Sequence, residues 1–317
     1  MAEAQARWYV VHTYSGNENK VKANIEKTIE NRHLEDQILE VRVPLQDVVE
    51  IKNGRKQTVQ KKMFPGYVSK FLETDPEFIE RFDNFAFDEV LHMPLQEGWE
   101  PISDVTRHMA ILAVLIGCQG IDEFKAIVPA AMEFGVTPVQ IKEIVYQAVA
   151  YLGIGRVFPF LKAVNEVFEA KGISLPLPPQ STTDAAAEDD SVNPKSRRVA
   201  GTQAQVDIFG DGMKEFYQSG SEDSRHINYW LADNCFGDYY TRGGLTLAER
   251  ELVTFCYIYA QGGCEPQLEG HTAGNLRMGN DKSVLIQVIS HCIPFIGYPR
   301  TLNALAVINK VAEKQSK

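Results

Sequence analysis

TLAERELVTFCYIYAQGGCEPQLEGHTAGN, residues 246–275, decides the fold. Thr246-Leu247-Ala248-Glu249 has the form of a capping box, in which the Thr hydroxyl and the Glu carboxylate satisfy each other's backbone N–H groups and start a helix. The helix is expected to run through ERELVTFCYIYAQ and to stop at Gly262-Gly263. Pro266 suits the first turn of a following helix, where its missing N–H costs nothing, so Cys264 or Glu265 is expected at the cap. A thiol there meets the positive end of the helix dipole. His271 lies two turns along the same face, about 10 Å of rise away, so that a water or a substrate could bridge the two side chains. Glu251, on the preceding helix, could orient the imidazole or relay its proton. The same residues equally describe a packed thiol, a satisfied core histidine and a solvated glutamate.

Outward from this stretch the texture is helical. Apolar runs predict helices at about 103–118, 122–134, 138–151 and 156–171, with Asp75-Pro76 as an earlier helix start, and a second helical block spans about 203–313. The blocks are copies. A shift of 144 lays Gly135 on Gly279, Gly153 on Gly297, Arg156 on Arg300, and Ile141, Ile144 and Val145 on Leu285, Val288 and Ile289. Upstream the shift is 143 and pairs Arg107 with Arg250, which places one extra residue of the second copy near Gly262-Gly263. Glu251 and His271 are not shared: the first copy has His108 and Ile127. Residues 175–198, rich in Pro, Ser, Thr and Asp, read as a linker.

The 317 residues carry a net charge of -10 and 44% hydrophobic residues, enough for a sizeable core. With no run of eighteen apolar residues and no leader pattern at MAEAQARWYVV, a cytoplasmic protein without membrane contact is expected. The five cysteines, Cys118, Cys235, Cys256, Cys264 and Cys292, never form CxxC. Neither a disulfide framework nor a metal site is expected, because ligands must converge from short spacings.

Residues 1–68 are different in kind, with 11 Lys plus Arg against 9 Asp plus Glu; the remainder has 21 against 33. RWYVVHTY alternates as a strand does, NENKVKANIEKTIENRHL has helical spacing, and two further strands flank an Asn53-Gly54 turn. Lys52, Arg55, Lys56, Lys61 and Lys62 form a basic run, which reads as a solvated hairpin or as a surface for an acidic partner.

RWYVVHTYSGNENKV, VRVPLQDVVEI and KKMFPGYV, in this order, resemble the N-terminal domain of the NusG family of transcription elongation factors. The resemblance implies a small α+β domain that docks on RNA polymerase through Trp8, Tyr9, Phe64, Pro65, Gly66 and Tyr67. After Tyr67 the family's tryptophan-bearing helix, last strand and β-barrel have no counterpart, so only a partial domain and a weak polymerase contact are expected.

GCEPQLEGH and IGYPRTLNAL, with TRHMAILAVLIGCQG in the first copy, resemble the carboxymuconolactone decarboxylase family, which includes the AhpD-like alkylhydroperoxidases. The resemblance implies a mainly α chain of two tandem AhpD-like helical bundles, assembled into homo-trimers or hexamers. The expected layout is a partial NusG-type domain at 1–68, repeats at 69–174 and 203–317, and a linker at 175–202. AhpD-like members use a Glu, a CxxC pair and a His for thiol chemistry. Here Cys264 and His271 match, Gln267 replaces the second cysteine, and Glu251 stands thirteen residues before Cys264 where the pattern has twelve. The decarboxylase members need no cofactor. For them His271 would shuttle a proton with Glu251 as partner, and Arg300, Arg242 and Gln267 would contact a small carboxylate or lactone. Three functions therefore stand: cofactor-free acid/base catalysis, peroxidase or disulfide exchange at Cys264, and a non-catalytic fusion that binds polymerase.

Overall fold

The protein is described by a computed structural model covering residues 18–34, 37, 38, 41, 45–52, 55–62, 71, 74–189 and 193–315. It divides into two compact units, Met1–Phe87 and Asp88–Lys317. In the first, α1 spans Glu18–Arg32. Strands β1 (Leu45–Lys52) and β2 (Arg55–Lys62) pair antiparallel with Val48 opposite Val59. Helix α2, Pro76–Asn84, begins on its proline and buries Ile79. The expected strand RWYVVHTY, the Asn53-Gly54 turn and the docking residues Trp8, Tyr9, Phe64, Pro65, Gly66 and Tyr67 lie outside the described residues.

The second unit is helical among its described residues. Helices α3 (Asp104–Gly117), α4 (Ile121–Glu133), α5 (Pro138–Leu152) and α6 (Ile154–Ala170) form the first copy. Helix α7, Arg197–Phe209, leads to the short helix α8, Arg225–Trp230, and a π-helix, Leu231–Tyr240. The second copy is α9 (Leu247–Gln261), α10 (Glu265–Arg277), α11 (Lys282–Ile296) and α12 (Tyr298–Gln315).

Local chemistry sets these boundaries. The Thr246 hydroxyl accepts from the Glu249 N–H at 3.2 Å while the Glu249 carboxylate accepts from the Thr246 N–H at 2.7 Å. Thr137 and Gln140 make the same reciprocal cap at α5. Helix starts at 104, 121, 138 and 154 recur at 247, 265, 282 and 298, displaced by 143 and then by 144. Because α9 starts at a displacement of 143 and ends at 144, the extra residue is absorbed in the helix itself, not in the Gly262-Gly263 turn. The turn backbones match as well: Gly135 and Gly279 have φ of 99° and 93°, and Gly153 and Gly297 have 77° and 78°, left-handed values that a side chain would strain.

The copies do not keep separate cores. Helices α3 and α9 pack on each other, α5 packs on both, and α11 closes on α3, so one apolar cluster draws on both repeats. His108 to Gly117 and Arg250 to Ala260 are buried on every side, as befits helices at the centre of a bundle. The stretch read as a linker is also partly structural, since α7 starts at Arg197 with its Ser196 hydroxyl capping the Val199 N–H. Helix α7 and the π-helix form a second, smaller cluster through Ile208, Cys235, Phe236 and Tyr240, packed against Tyr151 of α5.

Candidate functional site

Glu251 is fully buried in α9, and its Oε2 lies 2.9 Å from Nδ1 of His271 on α10. Asn275 holds the two helices in register by donating to the carbonyls of Glu251 at 2.9 Å and His271 at 2.8 Å, while Asn280 donates to the Asn275 side-chain oxygen. A Cβ on Gly274 would sit 2.6 Å from the Glu251 Oε2, so the missing side chain leaves the carboxylate its place. The imidazole is held edge-on by two rings, Tyr151 at 5.5 Å and Phe209 at 5.4 Å between centroids.

A chain of donors converges on the same carboxylate. The Tyr240 hydroxyl donates to Glu251 Oε1 at 2.8 Å. A phenol has one proton, so its oxygen must accept from its other two partners, Tyr151 and Thr254, each 2.7 Å away. Thr254 in turn accepts from the Gln147 amide at 2.8 Å, and the Cys235 thiol points at the Tyr151 oxygen from 3.8 Å. Burial pushes Tyr240 and Tyr151 well above the usual phenol range and Cys235 up to about 12, which keeps all three protonated as donors. Facing a carboxylate, the His271 Nδ1 is the donating nitrogen of the neutral ring. The other nitrogen, Nε2, has no hydrogen bond among the described residues, and the side chain keeps 12% of its surface exposed. The arrangement can therefore take up a proton at Nε2 and stabilise the imidazolium that results.

Behind this chain lies an ionic cluster. Arg250 is fully buried and donates to Gln147 at 2.7 Å, to Glu143 at 3.1 Å and to the carbonyls of Arg242 and Gly243. Arg242 grips Glu143 with two nitrogens at 2.9 to 3.1 Å. Two guanidinium groups thus share the buried Glu143 carboxylate, while Glu251 is served by Tyr240 and His271.

Of the six residues read from the sequence, the structure joins two, Glu251 and His271. Cys264 is the N-cap of α10, half-buried, with its sulfur accepting from the Gln261 amide at 3.5 Å. Among the described residues no hydrogen bond links it to His271. Gln267 is exposed. Arg300 donates to the Ala260 carbonyl, and Arg242 is taken up by Glu143, which departs from the carboxylate-binding role expected of it. Tyr240, Tyr151, Thr254, Gln147 and Phe209 were not anticipated: Thr254 stands one turn from Glu251 on the same helix, but the other four come from other segments, and no local spacing marks such partners. All five cysteines are free, and no group of three or more metal-ligating side chains occurs among the described residues. No described helix is long and apolar enough to cross a membrane.

Comparison with known proteins places this geometry in context. The model of the carboxymuconolactone decarboxylase family matches residues 76–166 and 227–310, together more than half of the chain. The model described as transcription termination factor NusG matches residues 6–111, past the expected end at 68 and overlapping the other match from 76. Helix α3 is part of the second unit's core, which assigns the end of that overlap structurally to the helical repeat. The transcription termination/antitermination protein NusG of Bacillus subtilis is 58% identical over 64 residues, 20% of this chain and 36% of its own length. That of Staphylococcus aureus is 52% identical over 62 residues, covering 34% of its length. The chain thus spans about a third of the curated relatives it matches. A solved structure from Burkholderia xenovorans LB400, described as a gamma-carboxymuconolactone decarboxylase subunit, aligns over 81% of this chain and 93% of its own at a TM-score of 0.46 and 19% identity.

Proposed function

The chain belongs to the carboxymuconolactone decarboxylase family, and on that premise we propose that it is a cofactor-free acid/base catalyst acting on a small carboxylate or lactone, with His271 as proton shuttle and Glu251 as its partner. The observation that carries this reading is the 2.9 Å contact of Nδ1 with a buried carboxylate that also receives the Tyr240 proton. With Nδ1 engaged, the lone pair on Nε2 is the base. In a decarboxylation Nε2 takes the proton of the substrate's carboxyl group, the electrons of the breaking C–C bond pass into an enolate as CO2 leaves, and Nε2 returns that proton to carbon. Glu251 holds the ring's orientation and balances its charge while the proton is on the ring. The test is turnover of lactone and β-keto-acid substrates by the wild type and His271→Ala, which is expected to lose roughly 10² to 10⁴ in rate. Equal rates would remove the proposal.

Thiol chemistry at Cys264 has less support. An intramolecular disulfide would need a second reactive thiol, and the candidates Cys256 and Cys292 are fully buried; burial drives Cys256 well above the usual thiol range and Cys292 up to about 12. Mass spectrometry after peroxide treatment is expected to find Cys264 oxidised no faster than an ordinary exposed thiol. Homo-oligomerisation and a polymerase contact through the NusG-like segment are further readings drawn from family likeness. Sedimentation of the full chain and co-purification with RNA polymerase test them separately.

A further inference from the structure

A cavity of about 430 Å³, which His271 does not line, is bounded by Asp189, Arg198, Tyr217, Gln218, Arg225, His226 and Tyr229. Arg198 is its floor. The residue is 8% exposed, and its Nε donates to both oxygens of Asp189 at 2.7 and 2.9 Å. Asp189 is then saturated, because Ser196 and Tyr229 also donate to it at 3.0 and 2.9 Å. The Nη1 and Nη2 groups of Arg198 make no hydrogen bond among the described residues and are open to solvent, so the fork is available at the opening. The Tyr217 ring lies against that guanidinium at 4.6 Å, which fixes its plane. Arg225 brings a further donor to the same opening, so the lining carries two guanidinium groups against one carboxylate, while the Gln218 amide is spent on Glu215 and the Tyr217 oxygen.

The position of the cavity separates it from the proposed catalytic site. Arg198 and Phe209 stand on one helix eleven residues apart, roughly 16 Å of rise. Six of the seven lining residues, all but Tyr229, fall between the two segments that the family model matches. Most of the cavity's lining thus stands outside the matched segments, and the family match says nothing of its use.

We propose that the cavity is a binding site for a small planar carboxylate, held bidentate by the free Nη fork of Arg198 with its ring or conjugated body along Tyr217. The volume lies in the range of small-ligand pockets, roughly 300 to 1,000 Å³. Carboxylate matches the fork in both charge and spacing, and a flat body matches the aromatic wall. The experiment is isothermal titration of the full chain with benzoate, with benzyl alcohol as the neutral isostere and inorganic phosphate as the non-planar anion. Saturable one-to-one binding of benzoate is expected, with at least tenfold weaker binding of the other two. Arg198→Gln should weaken benzoate at least tenfold and Arg198→Lys by less. Because Arg198 also pairs with Asp189, the exposed Arg225→Gln and the wall variant Tyr217→Leu serve as second variants, each expected to weaken benzoate severalfold with the fold intact by circular dichroism. No saturable heat with benzoate, tighter binding of phosphate, or affinities unchanged in the folded variants would each overturn the proposal.

Discussion

The two repeats have the same helix boundaries, the same turn glycines and one shared core, yet their equivalent positions carry different chemistry. Where the second copy has Glu251 the first has His108, which donates from Nδ1 to the Asp104 carbonyl and stacks on Phe134 at 4.6 Å. Where the second has His271 the first has Ile127, a buried aliphatic residue. The exchange is not one-sided. Tyr151 and Gln147, which complete the donor chain to Glu251, belong to α5 of the first copy, and their counterparts in the second are Phe295 and His291. Packing constrains both copies equally, because both feed one core, whereas the Glu251–His271 pair occurs in only one of them. The first repeat has kept the apolar seam and lent its polar residues to the second.

This contrast can be broken by substitution. The largest effect is expected at the two histidines. His271→Ala should lower turnover by on the order of 10³, while His108→Ala leaves it within about twofold, as steady-state rates would show. Next come the equivalent arginines. Arg250→Met strands the buried Glu143 with only Arg242 and should cost about 3 to 5 kcal/mol in denaturant unfolding. Arg107→Met, whose ion pair with Asp104 is partly solvated, should cost about 1 kcal/mol.

The pair His291 and Gln147 predicts a pH dependence. Burial, aided by the Arg107 charge, lowers His291 to about 4 from an ordinary value of 6.5. The folded protein therefore resists a proton that the unfolded chain accepts. Stability contributed by the neutral ring is complete above about pH 6.5 and falls as pH drops toward 4, by about 3 kcal/mol in all. His291→Gln, which copies the first repeat, should flatten that slope in thermal melts between pH 4 and 6.5. A more modest effect than at His271 is expected from Tyr240→Phe, which removes one donor from the Glu251 carboxylate and should cost roughly tenfold in kcat with KM little changed.

Much of this was legible in the sequence. Thr246 with Glu249, the paired glycines and the 144-residue displacement fix helix boundaries because each is a local device whose energetics are complete within a turn. Glu251 and His271 were also legible as partners, since they flank a single tight connection. Tyr240 and Tyr151 were not, because their roles depend on a π-helix and on packing of one repeat against the other. Arg242 misled for a related reason: a free-looking cation in the sequence was already paired with Glu143, 99 residues away. The start of α7 inside a Pro- and Asp-rich stretch was hidden by composition, although Ser196 is an ordinary N-cap residue.

The most direct measurement is the tautomer of His271 by 15N-edited NMR of the full chain under conditions where the ring is neutral. The arrangement of donors around Glu251 requires the proton on Nδ1 and a bare Nε2. A neutral ring carrying its proton on Nε2, with Nδ1 bare, would contradict the hydrogen-bond chain from Tyr240 through Glu251 to the imidazole.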